Sequence, residues 1–152
     1  MERRALNPDD LPSGRGAYAL FLRLSREIRL DIPTLGHPVL PAGLYLYAGS
    51  AWGRGGIRAR VARHLRRSKA RVWHIDHLTE AAPVEEVVAF PGGRECMIAD
   101  FAVAHGAQVS VSRFGASDCR RCDAHLLTVE ACLVSALTSN AQRGSIASSW
   151  LA

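Results

Sequence analysis

The spacing of apolar residues changes along this chain, and this change restricts the possible fold more than any other feature. Residues 17–24 are almost continuously apolar, residues 27–32 alternate polar and apolar, and residues 43–48 form another short apolar segment. These patterns predict three strands, the first two of them paired as a hairpin. After Gly56 the spacing becomes four residues, because Ile57, Val61 and Leu65 recur on one helical face. The chain therefore combines strands with amphipathic helices.

The remaining segments continue this alternation. Three prolines in residues 33–41 predict a loop, and the glycines of residues 49–56 predict a turn. Further predictions are helices at 56–68 and 73–79, a strand at 84–90, a turn at 91–93, a helix to about 104, a strand at 108–113 and a helix beginning near 129. With 152 residues, 48% of them apolar, the chain can form one core. We predict an N-terminal tail (1–13) and a single α+β domain (14–152) with a small, mainly antiparallel sheet flanked by helices.

Positive charge is concentrated in one stretch of the chain. The net charge is +5, and no acidic residue occurs between Asp31 and Asp76. Clustered arginines are typical of contacts with phosphate groups, although a solvated helix face with no partner has the same pattern. The predicted nucleic-acid-binding residues are Arg54, Arg58, Arg63, Arg66, Arg67, Lys69, Arg71 and His74. No run of about 18 apolar residues and no signal sequence is visible, which predicts a cytoplasmic protein without a membrane segment.

Two tyrosine motifs and the helix that follows them resemble a known family. The first motif is Gly16, Ala17 and Tyr18, and the second is Tyr47, Ala48 and Gly49. The helix at 56–64 carries an arginine and, one turn later, a histidine: Arg60 and His64. Together these motifs resemble the core signature of the GIY-YIG nuclease superfamily. In both tyrosine motifs alanine replaces the central isoleucine, which changes packing and leaves the tyrosines and glycines in place.

The resemblance extends over nearly the whole chain. Residues 73–76, the pair Glu95 and Cys96, and residues 114–126 are similar to a subfamily that is sometimes attached to endonuclease III. The segment between the two tyrosine motifs, residues 23–41, is longer than is usual in the superfamily, and we expect it to affect substrate choice more than catalysis.

The resemblance implies a role for each motif residue in phosphodiester hydrolysis. Tyr18 would help to activate water, Tyr47 would align water or substrate, and Arg60 would stabilise the transition state. His64 would share proton transfer or bind a phosphate, and Glu95 would hold one Mg²⁺ or Mn²⁺ ion. Because a free tyrosine has a pKa of about 10, Tyr18 needs nearby positive charge to act as a base.

Structural roles for the same residues stay open at this point. The strand tyrosines are also common as packing, and Glu95 at the start of a helix is favoured by the helix dipole without a metal. Ile98, Ala99 and Ala102 on its helical face would direct the carboxylate towards the core. Trp73 suits a core position, and His74 could bind either a phosphate or a backbone carbonyl.

The tract Cys119, Cys122 and His125 resembles half of a zinc site. Cys96 would complete it if the fold brought it close, whereas a second ligand pair is missing from the sequence. The alternative is a plain turn, stabilised by Ser117 and Asp118, before a strand. Zinc at this tract is thus a further possibility beside the Mg²⁺ or Mn²⁺ expected at Glu95, and the plain turn is the favoured interpretation.

Three hypotheses about function follow. The first is a metal-dependent endonuclease of low sequence specificity that acts on DNA, or on RNA. The second is a non-cleaving nucleic-acid-binding accessory module, with a DNA repair enzyme as its partner. The third is an enzyme that uses the tyrosine and arginine residues on small phosphates, which the basic stretch does not favour. The sequence does not distinguish single-stranded, double-stranded and branched substrates.

Overall fold

The computed structural model describes residues 7–66, 69–116 and 119–143. The predicted α+β fold is confirmed: a five-stranded antiparallel sheet is flanked by helices. In chain order the elements are β1 (Gly16–Leu24), β2 (Ile28–Arg29), β3 (Val39–Leu40), β4 (Gly43–Ala51), α1 (Gly56–Leu65), α2 (His74–Ala81), β5 (Val84–Pro91), α3 (Glu95–Ala104), β6 (Gln108–Val109), β7 (Leu126–Thr128) and α4 (Ala131–Arg143).

The five-stranded sheet has the strand order β5-β1-β4-β7-β6. Strand β1 lies between β5 and β4 and is apolar on both faces. Tyr18, Leu20 and Leu22 point to the side of α1 and α2, whereas Ala17, Ala19 and Phe21 point to the side of α3 and α4. The near-continuous apolar pattern of residues 17–24 follows from this burial, because helices cover both faces of the strand.

The predicted hairpin between residues 17–24 and 27–32 is wrong. β1 pairs with β4 and β5, and Ile28–Arg29 instead pairs with Val39–Leu40 in a separate two-stranded sheet. Residues 27–32 alternate polar and apolar, so they can cover only one side of a core. A central strand with two buried faces needs partners that are apolar on both sides, as β4 is. Residues 33–41, predicted as a loop, thus contain a short strand and a 3-10 turn at Pro33–Leu35.

The chain before β1 packs against helix α1. The backbone carbonyl oxygens of Pro12 and Gly14 accept hydrogen bonds from the N–H groups of Arg58 and Ile57, which lie in the first turn of α1. These N–H groups lack partners within the helix, and the Gly55 N-cap supplies no side chain for them. Residues 8–14, of which 8–13 were expected to form a tail, therefore belong to the packed fold.

Several predicted boundaries differ from the observed ones. Helix α1 ends at Leu65, since Arg66 is extended, and β4 continues through Gly49 to Ala51. Only Gln108–Val109 of the strand predicted at 108–113 is in the sheet, and the last helix begins at Ala131. Predictions for Arg67, Ser117 and Asp118 fall outside the described residues. Within the described ranges, no helix combines the length and the apolar character needed to cross a membrane.

Candidate active site and metal-binding cluster

A cavity of about 630 Å³ opens where β4 loses its neighbour β7. β7 pairs with residues 45–47 of β4, and the last contact is from the Ala48 N–H group to the His125 carbonyl. Beyond that point the edge of β4 faces an open space between α1, the start of α3 and the segment before β7. All five residues predicted to be catalytic line this cavity: Tyr18, Tyr47, Arg60, His64 and Glu95.

Tyr18 and His64 form a buried pair. The Tyr18 hydroxyl lies 2.6 Å from His64 Nε2, and both side chains are almost fully buried. Burial raises the pKa of Tyr18 well above its ordinary value and lowers the pKa of His64 to about 3. The positive charge of Arg60 and Arg63 lowers the pKa of Tyr18, but burial outweighs it. At neutral pH the tyrosine is therefore a phenol and the imidazole is neutral, and the two groups share one hydrogen bond.

Gly49 leaves the space that Tyr18 occupies. Gly49 is directly opposite Tyr18 in the β1–β4 pair, and a Cβ atom at this position would lie 2.2 Å from the Tyr18 ring. Any larger residue would push the ring away from His64. The glycine of the second motif is thus needed by the tyrosine of the first.

His64 is surrounded by aromatic rings. Its ring centroid lies 5.5 Å from that of Tyr18, 6.1 Å from that of Tyr47 and 5.9 Å from that of Trp73. Its Nδ1 atom is buried and has no hydrogen-bond partner among the described residues. Burial also raises the pKa of Tyr47, so this ring is a neutral phenol as well.

Two arginines with different partners stack on Trp73. The guanidinium groups of Arg60 and Arg63 lie 4.5 and 4.0 Å from the ring centroid. Arg63 also forms a two-pronged salt bridge to the fully buried Asp76, at 2.8 and 2.9 Å. Burial alone would raise the pKa of Asp76, but hydrogen bonds from Arg63 and from the N–H groups of Trp73 and Val72 lower it to about 2. The guanidinium group of Arg63 is therefore used in a structural salt bridge.

Arg60 has no such carboxylate. Its guanidinium group makes no salt bridge or hydrogen bond to any residue in the described part of the chain, and it lines the cavity. Stacking on Trp73 fixes the plane of the group and leaves its N–H donors available. Trp73, predicted as core, is half-buried and serves as this support.

Most of the described basic side chains in the basic stretch form hydrogen bonds or salt bridges with other groups of the same chain. Arg58 donates to the Leu11 carbonyl, Lys69 donates to the carbonyls of His64 and Arg66 at the end of α1, and Arg71 pairs with Glu80. Arg54 and Arg66 are exposed. Of the predicted nucleic-acid-binding residues that the structure describes, His74 is the one that lines the cavity.

Glu95 is the first residue of α3. Its helical face is buried through Ile98, Ala99 and Ala102, as predicted, but the carboxylate is half-buried and lines the cavity instead of the core. It forms no ion pair or hydrogen bond with the side chains that the structure describes. A carboxylate without a protein partner, beside an open cavity, suits Mg²⁺ or Mn²⁺, which keep several water ligands.

The structure also forms a group that could hold a metal ion: Cys96, Cys119, Cys122 and His125. The ligand atoms of these four residues all lie within 4.8 Å of one another. The sulfurs of Cys96 and Cys119 are 3.6 Å apart, and Cys96 Sγ is 3.9 Å from His125 Nε2. Tetrahedral zinc with bonds of about 2.3 Å places its sulfurs roughly 3.8 Å apart. Cys96, in the first turn of α3, thus supplies the fourth ligand that residues 119–125 do not contain.

The Gly115 peptide connects this cluster to the cavity. Its carbonyl oxygen accepts from His125 Nδ1 at 3.0 Å, which leaves Nε2 unprotonated and able to bind a metal. Its N–H group donates to His74 Nδ1 at 2.9 Å, so a neutral His74 carries its hydrogen on Nε2. His74 therefore binds a backbone N–H, and not the carbonyl that the sequence suggested. Burial lowers the pKa of His74, which favours this neutral donor form.

Some cavity residues were not predicted from the sequence. Ser50, Arg120 and Arg121 line the cavity, and Arg121 also pairs with Asp100. A basic pair inside a Cys-x-x-Cys tract was the available signal for the two arginines. Ser50 follows the second tyrosine motif, but the sequence assigned it no role. It lines the cavity because β7 pairs with β4 only at residues 45–47.

One comparison with known proteins gives a match. The family model described as Domain of unknown function DUF123 matches residues 17–145. No curated protein and no solved structure matches the chain. The matched range includes every residue described above as lining the cavity and all four residues of the Cys/His cluster.

Proposed function

The chain belongs to the DUF123 family, and we propose that it is a divalent-metal-dependent nuclease of the GIY-YIG type that hydrolyses phosphodiester bonds, with DNA as the expected substrate. The observation that carries this proposal is that four groups line one cavity. Arg60 and Glu95, which form no salt bridge with any other described side chain, lie there together with the buried Tyr18–His64 pair. These are the donor, the metal ligand and the proton acceptor that phosphodiester hydrolysis needs.

The proton path begins at the attacking water. Tyr18 takes the water proton on its hydroxyl oxygen while its own hydroxyl proton passes to His64 Nε2, which is 2.6 Å away. We assign the acceptor role to His64 Nε2 because it lies within hydrogen-bonding distance of the Tyr18 hydroxyl; burial makes the ring a weak base, so it would hold the proton only transiently. The transfer needs no free phenolate, which the burial of Tyr18 disfavours.

The charge that develops on the phosphoryl oxygens is met from two directions. Arg60 offers N–H donors that no described residue uses, and His74 offers its Nε2 hydrogen. Glu95 would hold Mg²⁺ or Mn²⁺, and the ion would supply Lewis-acid polarisation of the phosphoryl group and would lower the pKa of bound water. Tyr47, packed between His64 and Gly115, would align the water.

The Cys/His cluster has a different metal preference. Three thiols and an imidazole suit zinc, whereas Mg²⁺ selects oxygen ligands. With four protein ligands, the cluster has the composition of a structural zinc site, in which no position is left for substrate. We therefore assign Mg²⁺ or Mn²⁺ to Glu95 and zinc to the cluster.

The test is cleavage of labelled single-stranded, double-stranded and branched DNA and of RNA, with Mg²⁺, with Mn²⁺ or with neither. Tyr18→Phe, Arg60→Ala and Glu95→Gln should each lower the rate by about 100-fold or more. Omission of Mg²⁺ is a cleaner control than EDTA, which would also remove zinc from the cluster.

Arg66→Ala is the matched control for Arg60→Ala, since both arginines belong to the same basic stretch but Arg66 is exposed and outside the cavity. It should keep the cleavage rate within a few-fold of the wild type. Binding without cleavage under every condition, with Arg60→Ala and Arg66→Ala equally affected, would replace the proposal with the non-cleaving binding module.

A further inference from the structure

An exposed tryptophan lies at the rim of the cavity and plays no part in the chemistry above. Trp52 follows β4 directly, and 40% of it is exposed. Its indole Nε1–H group donates to the Gly93 carbonyl at 3.0 Å, which fixes the ring against the turn before α3. Buried tryptophans add to a core, but a fixed and exposed ring stabilises little by itself.

An arginine stacks on the same ring. The Arg94 guanidinium group lies 5.0 Å from the centroid of the Trp52 ring, and Arg94 is exposed. It forms no salt bridge within the described ranges. The pair therefore presents an aromatic surface and a positive charge together.

The pair adjoins residues that line the cavity on both sides. Ser50, two residues before Trp52, lines the cavity, and so does Glu95, the residue after Arg94. On the next residue, Gly53, a Cβ atom would lie 3.6 Å from Arg60 Nη2. A nucleotide on Trp52 would thus be next to the phosphate that Arg60 would contact, beside the metal site proposed at Glu95.

We propose that Trp52 and Arg94 form a stacking site for the base of an unpaired nucleotide next to the scissile phosphate. The inference rests on the proposed function and narrows its substrate to nucleic acid with a single-stranded segment at the cut. Every base has a face that can stack on an indole, so such a site tolerates any sequence. Bases inside a duplex are already stacked on their neighbours and cannot reach the ring. Arg94 would contact the adjoining phosphate.

Binding of fluorescein-labelled oligothymidylate, measured by anisotropy with Ca²⁺ in place of Mg²⁺ and with the oligonucleotide checked for intactness, tests the site. Trp52→Ala should weaken binding about 10-fold, the range expected for one base stacked on an aromatic ring. Trp52→Phe keeps a ring at the same position and should stay within about 3-fold of the wild type. Tryptophan fluorescence should be quenched by the oligonucleotide in the wild type and clearly less in Trp52→Phe.

An abasic oligonucleotide of the same length separates stacking from a general effect on the fold. It keeps the phosphates and lacks the bases, so the wild type and Trp52→Ala should bind it equally. An equal loss of affinity for the abasic and the normal strand, or no loss for either, would overturn the stacking site. A wild type that prefers an intact blunt duplex to the single strand would also overturn it.

These outcomes are independent of cleavage. If Trp52→Ala lowers affinity only for strands with bases but no metal supports cutting, the stacking site stands and the nuclease proposal fails. If the wild type cuts while Trp52→Ala binds as well as the wild type, the nuclease proposal stands and the stacking site fails.

Discussion

The two walls of the cavity are built in different ways. The helix wall consists of Tyr18, Tyr47, Arg60 and His64, which lie on paired strands and on α1. The loop wall consists of Gly115, Cys119, Arg120, Arg121 and His125, which lie between β6 and β7 in a part of the chain where the described residues form no helix or strand. The ladder and helical hydrogen bonds of regular elements hold the first wall, whereas the second has isolated backbone bonds across the loop, such as that from the His125 N–H group to the Phe114 carbonyl, and side-chain bonds to loop carbonyls.

Arg113 illustrates this difference. Its guanidinium group donates to the backbone carbonyls of Ala116, Cys119 and Cys122, although its own side chain is largely exposed. Such bonds compete with water and are individually weak. A metal ion in the Cys/His cluster would tie this segment to α3 far more strongly. We therefore expect the helix wall to depend on packing and the loop wall to depend on zinc.

Loss of the metal should produce the largest effect, and only on the loop wall. The purified chain should contain about one zinc ion, which Cys119→Ser removes and which the matched control Cys132→Ser, an exposed cysteine of α4 outside the cluster, retains. In Cys119→Ser, amide hydrogen exchange of residues 119–125 should accelerate about 100-fold or more, while β1 is unchanged. An equal acceleration of amide exchange in both walls of Cys119→Ser, or a full zinc content in this variant, would contradict the expectation that only the loop wall depends on zinc.

The buried salt bridge behind the helix wall should give the second-largest effect. Arg63→Ala leaves Asp76 buried without its partner, and we expect a loss of about 3–5 kcal/mol in the free energy of unfolding. The exposed pair of Arg71 and Glu80 provides the control, since Arg71→Ala should cost about 1 kcal/mol or less. Urea unfolding measures both. Similar midpoints for the two variants would show that the helix wall does not depend on this pair.

The neutral His64 should give a smaller, pH-dependent effect. Its pKa is about 3 in the folded chain against 6.5 ordinarily, because burial disfavours the charged ring. The unfolded chain therefore binds a proton at this residue below about pH 6.5 while the folded chain does not. The contribution of His64 to stability is full above that pH and falls by about 1.4 kcal/mol per pH unit as the pH drops towards 3.

His64→Gln removes this titration. Between pH 7.5 and pH 5.5, the urea midpoint of the wild type should fall more steeply than that of His64→Gln. Other groups titrate in both proteins, so the difference between the two slopes isolates His64. Parallel slopes would mean that the ring is already protonated or solvated in the folded chain.

The sequence predicted the helix wall better than the strand pairing around it. The resemblance of the motifs to a known signature implied that Tyr18, Tyr47, Arg60 and His64 share one site, and all four line the same cavity. Periodicity added the helical face that carries Arg60 and His64. The predicted strand partner of β1, residues 27–32, was wrong. Pairing depends on which segment is apolar on both faces and not on which segment comes next in the chain.

The loop wall could be predicted only in part. Cys119, Cys122 and His125 are close in sequence, and Cys96 was a conditional fourth ligand, but the distance from residue 96 to the tract is set by how α3 packs on the sheet. The same packing moved the Glu95 carboxylate from the predicted core to the cavity and brought Trp52 beside Arg94.

The sequence by itself determined the class of fold, the identity of the tyrosine, arginine and histidine residues at the site, and the basic stretch. Only the tertiary structure decided which arginines remain available, because Arg58, Arg63 and Arg71 find carbonyl or carboxylate partners from other segments, whereas Arg60 stacks on Trp73 and keeps its donors. The physical reason is that periodicity is a local property of the backbone, whereas charge neutralisation and metal coordination depend on distances that only the folded chain sets.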